Sequence, residues 1–243
     1  MRYGISNSYH FFPLGDSGVL IDFGNEIDTT INQQVLTLFE LLQTAHLPWI
    51  TDLVPAYSSL AVFYDCRRLA TPSKKEPIHY EQAVKQLQPF LQTVANCLSK
   101  LRRQLRIPVC YETMHAPDLE GVAKQSGLSV EEVIGLHTSA AYQVYMIGFL
   151  PGFAYMGEVP ERIAVPRRSE PRSKVPAGSV GIAGRQTGIY PFDSPGGWQL
   201  IGKTPVSLFQ KKETSPTLFQ PADEVIFYPI TANEFTHYKG GAV

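Results

Sequence analysis

Tyr142–Gly157 reads YQVYMIGFLPGFAYMG, and this stretch decides the fold class of the second half of the chain. Aromatic and aliphatic residues favour a pleated strand up to Phe149, and Pro151-Gly152 then supplies a turn. The same texture continues downstream. Residues 139–203 hold 10 of the 19 glycines and 7 of the 19 prolines. Short β-like runs recur at Tyr142–Phe149, Ile163–Val165, Ser179–Ala183, Trp198–Ile201, Pro205–Phe209 and Glu224–Tyr228, with a second sharp turn at Pro195-Gly196-Gly197. Many short strands with Gly/Pro turns predict a barrel or sandwich. Two short helices are expected between Pro117 and His137, the second opened by a Ser129/Glu132 capping box. Thr231 and Glu234 repeat that device for a final short helix.

Upstream the pattern changes. Val19–Phe23 reads as a strand, and Asp28 offers a carboxylate to the free amides of a helix start. Ile31, Val35, Leu38 and Leu42 follow at helical spacing, and that helix ends near His46. Ile50–Val54 and Ser59–Tyr64 read as strands, and Thr71–Pro77 as a polar surface loop. A second helix places Val84, Leu87, Leu91, Val94, Leu98 and Leu101 on one side. Pro89 lies within it and removes an amide donor, which predicts a kink or a split. Leu105–Tyr111 is again strand-like. The resulting order, β-α-β-β-α-β, is the split βαβ arrangement.

Composition narrows the functional classes. The 243 residues carry 21 Lys+Arg against 22 Asp+Glu, a net charge of −1. That balance argues against a general nucleic-acid binder, which needs a basic excess to displace counterions. Hydrophobic residues make up 44%, enough for a sizeable core. No apolar run approaches the roughly 18 residues that span a bilayer, and Met1–His10 has no secretory pattern. The three cysteines, Cys66, Cys97 and Cys110, are far apart, which predicts neither a disulfide framework nor a zinc knuckle. A cytoplasmic protein with reduced thiols and no bound metal is expected.

Charge is concentrated in one place. Arg162, Arg167, Arg168, Arg172, Lys174, Arg185 and Lys203 face only Glu170 and Asp193 within residues 162–203. Such a segment is either a solvated basic edge or an anion site, where arginine's planar fork suits carboxylate or phosphate. Two tempting motifs lack their context. Gly197–Thr204 (GWQLIGKT) spells a phosphate loop, but its interior is bulky and strand-like. Ser179, with Asp223 and His237 following, has the order of a serine triad but sits in a β stretch rather than a strand-to-helix elbow.

Several long runs carry a resemblance. They are Val144–Gly157, Pro166-Arg-Arg168, Pro171-Arg172, Val175–Gly184, Gln186–Pro191 and Ser194–Gly202, with Pro13–Asp16, Ile107-Pro-Val109 and Pro117–Leu119 upstream. Together they resemble the allophanate hydrolase subunit 1/KipI family, over nearly the whole chain. The resemblance implies an α+β chain, with a ferredoxin-like domain over 1–104 and a cyclophilin-like β-barrel over 105–243. It implies a subunit of an ATP-dependent 5-oxoprolinase, opening 5-oxoproline to glutamate and inactive without subunits A and C, with C the more direct partner. ATP with Mg²⁺ would be the co-substrate of that complex. An inhibitor of a sensor histidine kinase and a subunit of an allophanate- or urea-type amide hydrolase are the alternatives. Two positions depart from the family pattern: Glu112-Thr113 stand where two glycines are expected, and Arg185 stands where a glycine is expected.

Under this reading His137, Arg168 and Arg172 are the candidate catalytic residues. His137 titrates in a useful range, and the arginines could hold phosphoryl or carboxylate oxygens. Arg167, Gln186, Tyr190, Ser194, Trp198 and Lys203 are the candidate substrate-binding residues, with Tyr190 and Trp198 as the water-excluding wall. Each has a plain structural alternative: a packed histidine, satisfied core aromatics, a backbone-capping glutamine.

Overall fold

The computed structural model describes residues 9–69, 79–94, 103–211 and 215–240. Its contacts divide the chain into two units, Met1–Leu101 and Arg102–Val243. The expected loop Thr71–Pro77 and the helix positions Leu98 and Leu101 lie outside the described residues, as does Cys97.

In the first unit, β1 (His10–Pro13), β2 (Gly18–Asp22), β3 (Ile50–Pro55) and β4 (Ser59–Tyr64) form an antiparallel sheet in the order β1-β2-β4-β3. Helices α1 (Thr29–Ala45), α2 (Cys66–Leu69) and α3 (His79–Val94) complete the unit. Helix α1 starts where the sequence predicts, because Asp28 accepts from the amides of Thr30 and Ile31 at 2.7 and 2.9 Å. It ends with His46 in a left-handed conformation, φ 45°. Val19, Ile21, Leu60 and Val62 of the sheet pack with Val35, Leu38 and Leu42 of α1 and with Leu87 and Leu91 of α3. Pro89 does not split α3, which runs continuously from His79 to Val94. Lys85 and Pro89 share the exposed face, so the carbonyl that loses its helical partner faces water.

The β-α-β-β-α-β expectation needs one correction. The last strand, β5 (Gln104–Cys110), does not join this sheet but pairs with strands of the second unit. The fourth strand of the sheet is instead β1, which precedes everything in the split βαβ reading. Leu105, Ile107, Pro108, Val109 and Cys110 are all buried. A strand apolar on both faces belongs inside a closed structure rather than on a sheet edge.

The second unit adds α4 (Leu119–Ser126), α5 (Val130–Ser139), β6 (Ala141–Ile147), β7 (Ala154–Gly157), β8 (Arg172–Val175), β9 (Ser179–Ala183), β10 (Gln186–Ile189), β11 (Ser194–Gly196), β12 (Gln199–Lys203), β13 (Glu224–Ile230) and α6 (Ala232–Thr236). Six of these strands and β5 close a barrel in the order β10-β7-β6-β13-β5-β12-β9, and β9 pairs back onto β10. All its pairs are antiparallel except β5 with β13. Val109, Val144, Met156, Val180, Ile182, Ile189, Ile201 and Phe227 fill it, and Leu119, Val122 and Val133 of α4 and α5 join the same core. Gly202 is required by this packing, since a Cβ there would lie 2.5 Å from Val109 Cγ1. Both expected capping boxes form, at Ser129/Glu132 and Thr231/Glu234. Two strand expectations fail. Ile163 closes a 3₁₀ turn, Glu161–Ile163, and Pro205–Phe209 contributes only a single bridge, Phe209 to Thr217. No helix among the described residues is long and apolar enough to cross a membrane.

Candidate functional site

Strands β8 and β11 form a two-stranded ribbon beside the barrel strands. Ser194 lies opposite Val175 and Gly196 opposite Arg172, so three steps on β8 face two on β11. In a regular strand Arg172 would point with Lys174, away from Val175. The extra residue reverses it, and Arg172 joins Ser194 and Val175 on one face. That face meets Tyr190, whose hydroxyl would lie 2.5 Å from a Cβ at position 196. Only glycine leaves room there.

Arg168 is brought to the same place by a different route. Its amide donates to the Gly197 carbonyl at 2.8 Å, and the Gln199 side chain donates to the Pro166 carbonyl at 3.1 Å, so residues 166–168 run beside 197–199. Asp118 ties the two arginines together. Its Oδ1 accepts from Arg168 Nη1 at 3.2 Å and from Arg172 Nη2 at 2.6 Å, and its Oδ2 accepts from the Leu200 amide at 2.7 Å. Asp118 occupies the N-cap position of α4, yet its side chain makes no capping bond. The carboxylate is engaged by the arginines and by β12.

Three polar atoms of this cluster are buried with no hydrogen-bond partner among the described residues: Arg168 Nε, Arg172 Nη1 and Ser194 Oγ. Ser194 is 8% exposed. Each such atom costs about 1–3 kcal/mol while unpaired, which makes this cluster the candidate site.

An aromatic wall adjoins the cluster. Phe153 packs edge-on against Tyr155, Tyr190 and Trp198, with centroids 4.8, 5.3 and 5.5 Å away. The Arg167 guanidinium sits 5.9 Å from the Trp198 ring centroid, at cation–π distance. Burial raises the Tyr190 hydroxyl above its ordinary pKa, opposed by the Trp198 amide that bonds it and by the charges of Arg167 and Arg172. Tyr190 is therefore a neutral phenol.

The structure brings together Arg167, Arg168, Arg172, Tyr190, Ser194 and Trp198 of the nine expected residues. His137 and Gln186 stand elsewhere, and Lys203 lies at the margin, its side chain beside Gly178, whose amide donates to the Tyr190 carbonyl. His137 is fully buried inside the barrel, stacked on Phe227 at 4.7 Å. Its Nδ1 lies 2.8 Å from the Tyr111 hydroxyl and its Nε2 lies 3.2 Å from Thr187 Oγ1. Burial lowers its pKa to about 3. A sealed, neutral imidazole has no path to a substrate proton, so the expectation of a catalytic His137 is corrected to a core role. Gln186 opens β10 and Tyr190 follows its end, about 13 Å apart at strand rise. Lys203 ends β12, where its charge acts on Asp193 and His115.

The basic segment is also less concentrated than its sequence suggests. Lys174 pairs with Asp193 at 2.8 Å, Arg185 pairs with Glu158, and Arg162 is 3.9 Å from Glu132. Arg185, which departs from the family pattern, is thus an exposed ion-pair partner. Glu112, the other departure, accepts from the Ala232 amide at 2.7 Å. Sequence reading missed Asp118, Phe153 and Tyr155. The signal for Asp118 was an acid at a helix start whose carboxylate need not cap that helix.

The two discounted motifs are also explained. Gln199–Lys203 is strand β12, so Gly197–Thr204 has no loop-to-helix geometry for phosphates. Ser179 is buried in β9, and Asp223 pairs with Arg103 at 2.5 Å rather than with a histidine.

The family described as "Carboxyltransferase domain, subdomain C and D" matches residues 9–219, and the chain belongs to it. It is 44% identical over 234 residues to the 5-oxoprolinase B subunit of Bacillus subtilis, covering 95% of this chain and 97% of the relative. It is 38% identical over 218 residues to the 5-oxoprolinase B subunit of Escherichia coli O157:H7, covering 90% and 94%. The crystal structure of TTHA0988 is similar at TM-score 0.75 and 35% identity, over 93% of this chain. This chain spans 41% of that longer one.

Proposed function

We propose that this chain is the B subunit of an ATP-dependent 5-oxoprolinase, acting with subunits A and C to open 5-oxoproline to glutamate. The observation that carries the reading is the arginine pair with unpartnered buried donors, set against an aromatic wall. It occurs in a chain that matches named B subunits over nearly its whole length. The lactam of 5-oxoproline is an amide, and resonance makes its carbonyl a poor electrophile. ATP supplies the driving force for opening it when the complex binds nucleotide. This chain's own residues contribute a polar grip and a dry wall. Arg168 and Arg172 present N–H donors, while Phe153, Tyr190 and Trp198 exclude water from one side.

The described residues do not fit ATP itself. The stretch that spells a phosphate loop is a β-strand, and Asp118 cancels one of the clustered guanidinium charges. No group of three or more His, Cys, Asp or Glu that could hold Mg²⁺ occurs among them. ATP with Mg²⁺ is the co-substrate of the complex as a whole. The chain is expected to be inert by itself, and a cytoplasmic location follows from the proposed reaction.

The test is reconstitution. The purified chain is mixed with subunits A and C, and glutamate and ADP are followed. Turnover that depends on this chain supports the reading. Turnover that is unchanged when the chain is left out refutes it.

A further inference from the structure

Two kinds of anion could meet the arginine pair: the acid end of the substrate, or phosphoryl oxygens of a nucleotide. We infer that the donors of Arg168, Arg172 and Ser194 receive the single carboxylate of a small acid. Asp118 is the positioning residue that sets its charge and geometry. The inference deepens the oxoprolinase reading and rests on it for the identity of the acid.

Charge is the first argument. Arg167, Arg168 and Arg172 bring three positive charges and Asp118 removes one. The residual charge suits a carboxylate and leaves a triphosphate largely uncompensated. Donor geometry is the second. Arg172 Nη1 and Ser194 Oγ belong to one face of the β8–β11 ribbon only because of the bulge. With Arg168 Nε they make three unpartnered polar atoms for the acceptor sites of a carboxylate. Burial is the third. Side-chain exposure is 23% for Arg172 and 8% for Asp118, more enclosed than a solvated basic edge, while Arg168 at 36% is partly open. Such an edge leaves its guanidinium groups in water. Tyr190 and Trp198 pack edge to face, 6.4 Å between ring centroids, and close one side of the cluster.

Asp118 acts through the arginines. Its Oδ1 fixes one nitrogen of each, which directs the remaining N–H groups, and its Oδ2 is anchored by the Leu200 amide. No atom of it is needed to touch the ligand.

The experiment uses the reconstituted three-subunit complex and the separate KM values for L-5-oxoproline and ATP. Ser194→Ala removes one hydroxyl and is expected to raise KM for L-5-oxoproline about tenfold, the effect of one buried hydrogen bond, with KM for ATP unchanged. Arg172→Lys is expected to lose at least as much, because an ammonium cannot replace a planar fork. Asp118→Asn keeps an acceptor but removes the one negative charge of the cluster. It is expected to weaken L-5-oxoproline and to make malonate, a dianion, a competitive inhibitor of the variant at concentrations that leave the wild type unaffected. A merely structural Asp118 would not change the charge preference. Direct binding to the wild-type complex should favour L-5-oxoproline over 2-pyrrolidinone, the same ring without the carboxylate, by tenfold or more. Equal binding of the two, or a KM shift confined to ATP in the variants, overturns the inference. A wild-type complex that binds the acid preferentially but opens no lactam would refute the oxoprolinase reading alone.

Discussion

His137 makes the acid stability of the barrel calculable. The Thr187 hydroxyl donates its one proton to the Gly181 carbonyl at 3.0 Å, so it accepts from His137 Nε2–H. Nδ1 is then the acceptor for the Tyr111 hydroxyl. Protonating Nδ1 sets a donor against that hydroxyl in a dry interior, in keeping with a folded pKa of about 3 against an ordinary 6.5. Between those values the unfolded chain binds a proton that the folded chain refuses, so stability falls as pH falls. From pH 7.5 to 5.0 this single group removes about 2 kcal/mol, and the loss grows by about 1.4 kcal/mol per further pH unit until the folded value is reached. The assay is urea denaturation at both pH values, followed by Trp198 fluorescence in a Trp49→Phe background. Wild type should lose about 2 kcal/mol more than His137→Gln across that interval. Equal losses would show that His137 is not a neutral buried imidazole, and the reasoning would fail.

Two other outcomes follow from packing and pairing. Gly202→Ala places a methyl 2.5 Å from Val109 Cγ1 and 3.1 Å from the Cys110 carbonyl, both on the neighbouring strand, and should destabilise the barrel by about 1–3 kcal/mol in denaturant titration. Asp223 is 3% exposed and accepts from Arg103 at 2.9 and 2.5 Å and from the Gln220 amide at 2.7 Å. Asp223→Ala should therefore cost about 2–4 kcal/mol by the same titration, while Arg103→Gln costs less because Arg103 is half exposed.

Local chemistry made much of this architecture readable. Asp28, Ser129 and Thr231 announce helix starts because a capping bond depends on residues three apart or fewer. Gly/Pro turns marked the β-rich half for the same reason. What stayed hidden depends on distant partners. Nothing within Leu105–Cys110 says that its neighbours are β12 and β13 rather than the strands just before it. His10–Pro13 is too short and too exposed to signal a strand by itself. The cluster proposed as an anion site was partly legible in membership. Arg168, Arg172 and Tyr190 stand out by charge and turn context, but the direction of Arg172 hangs on one extra residue in β8. Asp118 is separated from both arginines by 50 residues or more, and only the fold reveals it as their shared counterion.

The position of β13 has a consequence for how a newly made molecule matures. It comes last among the described strands, yet it is seated between β5 and β6. While the ribosome still holds Glu224–Ile230, those two neighbours present bare hydrogen-bonding rims, the kind that adheres to other chains. The ring snaps shut only when the last strand slots in, so a frameshift or nick upstream of Glu224 should yield sticky, aggregating protein rather than a slightly shortened one.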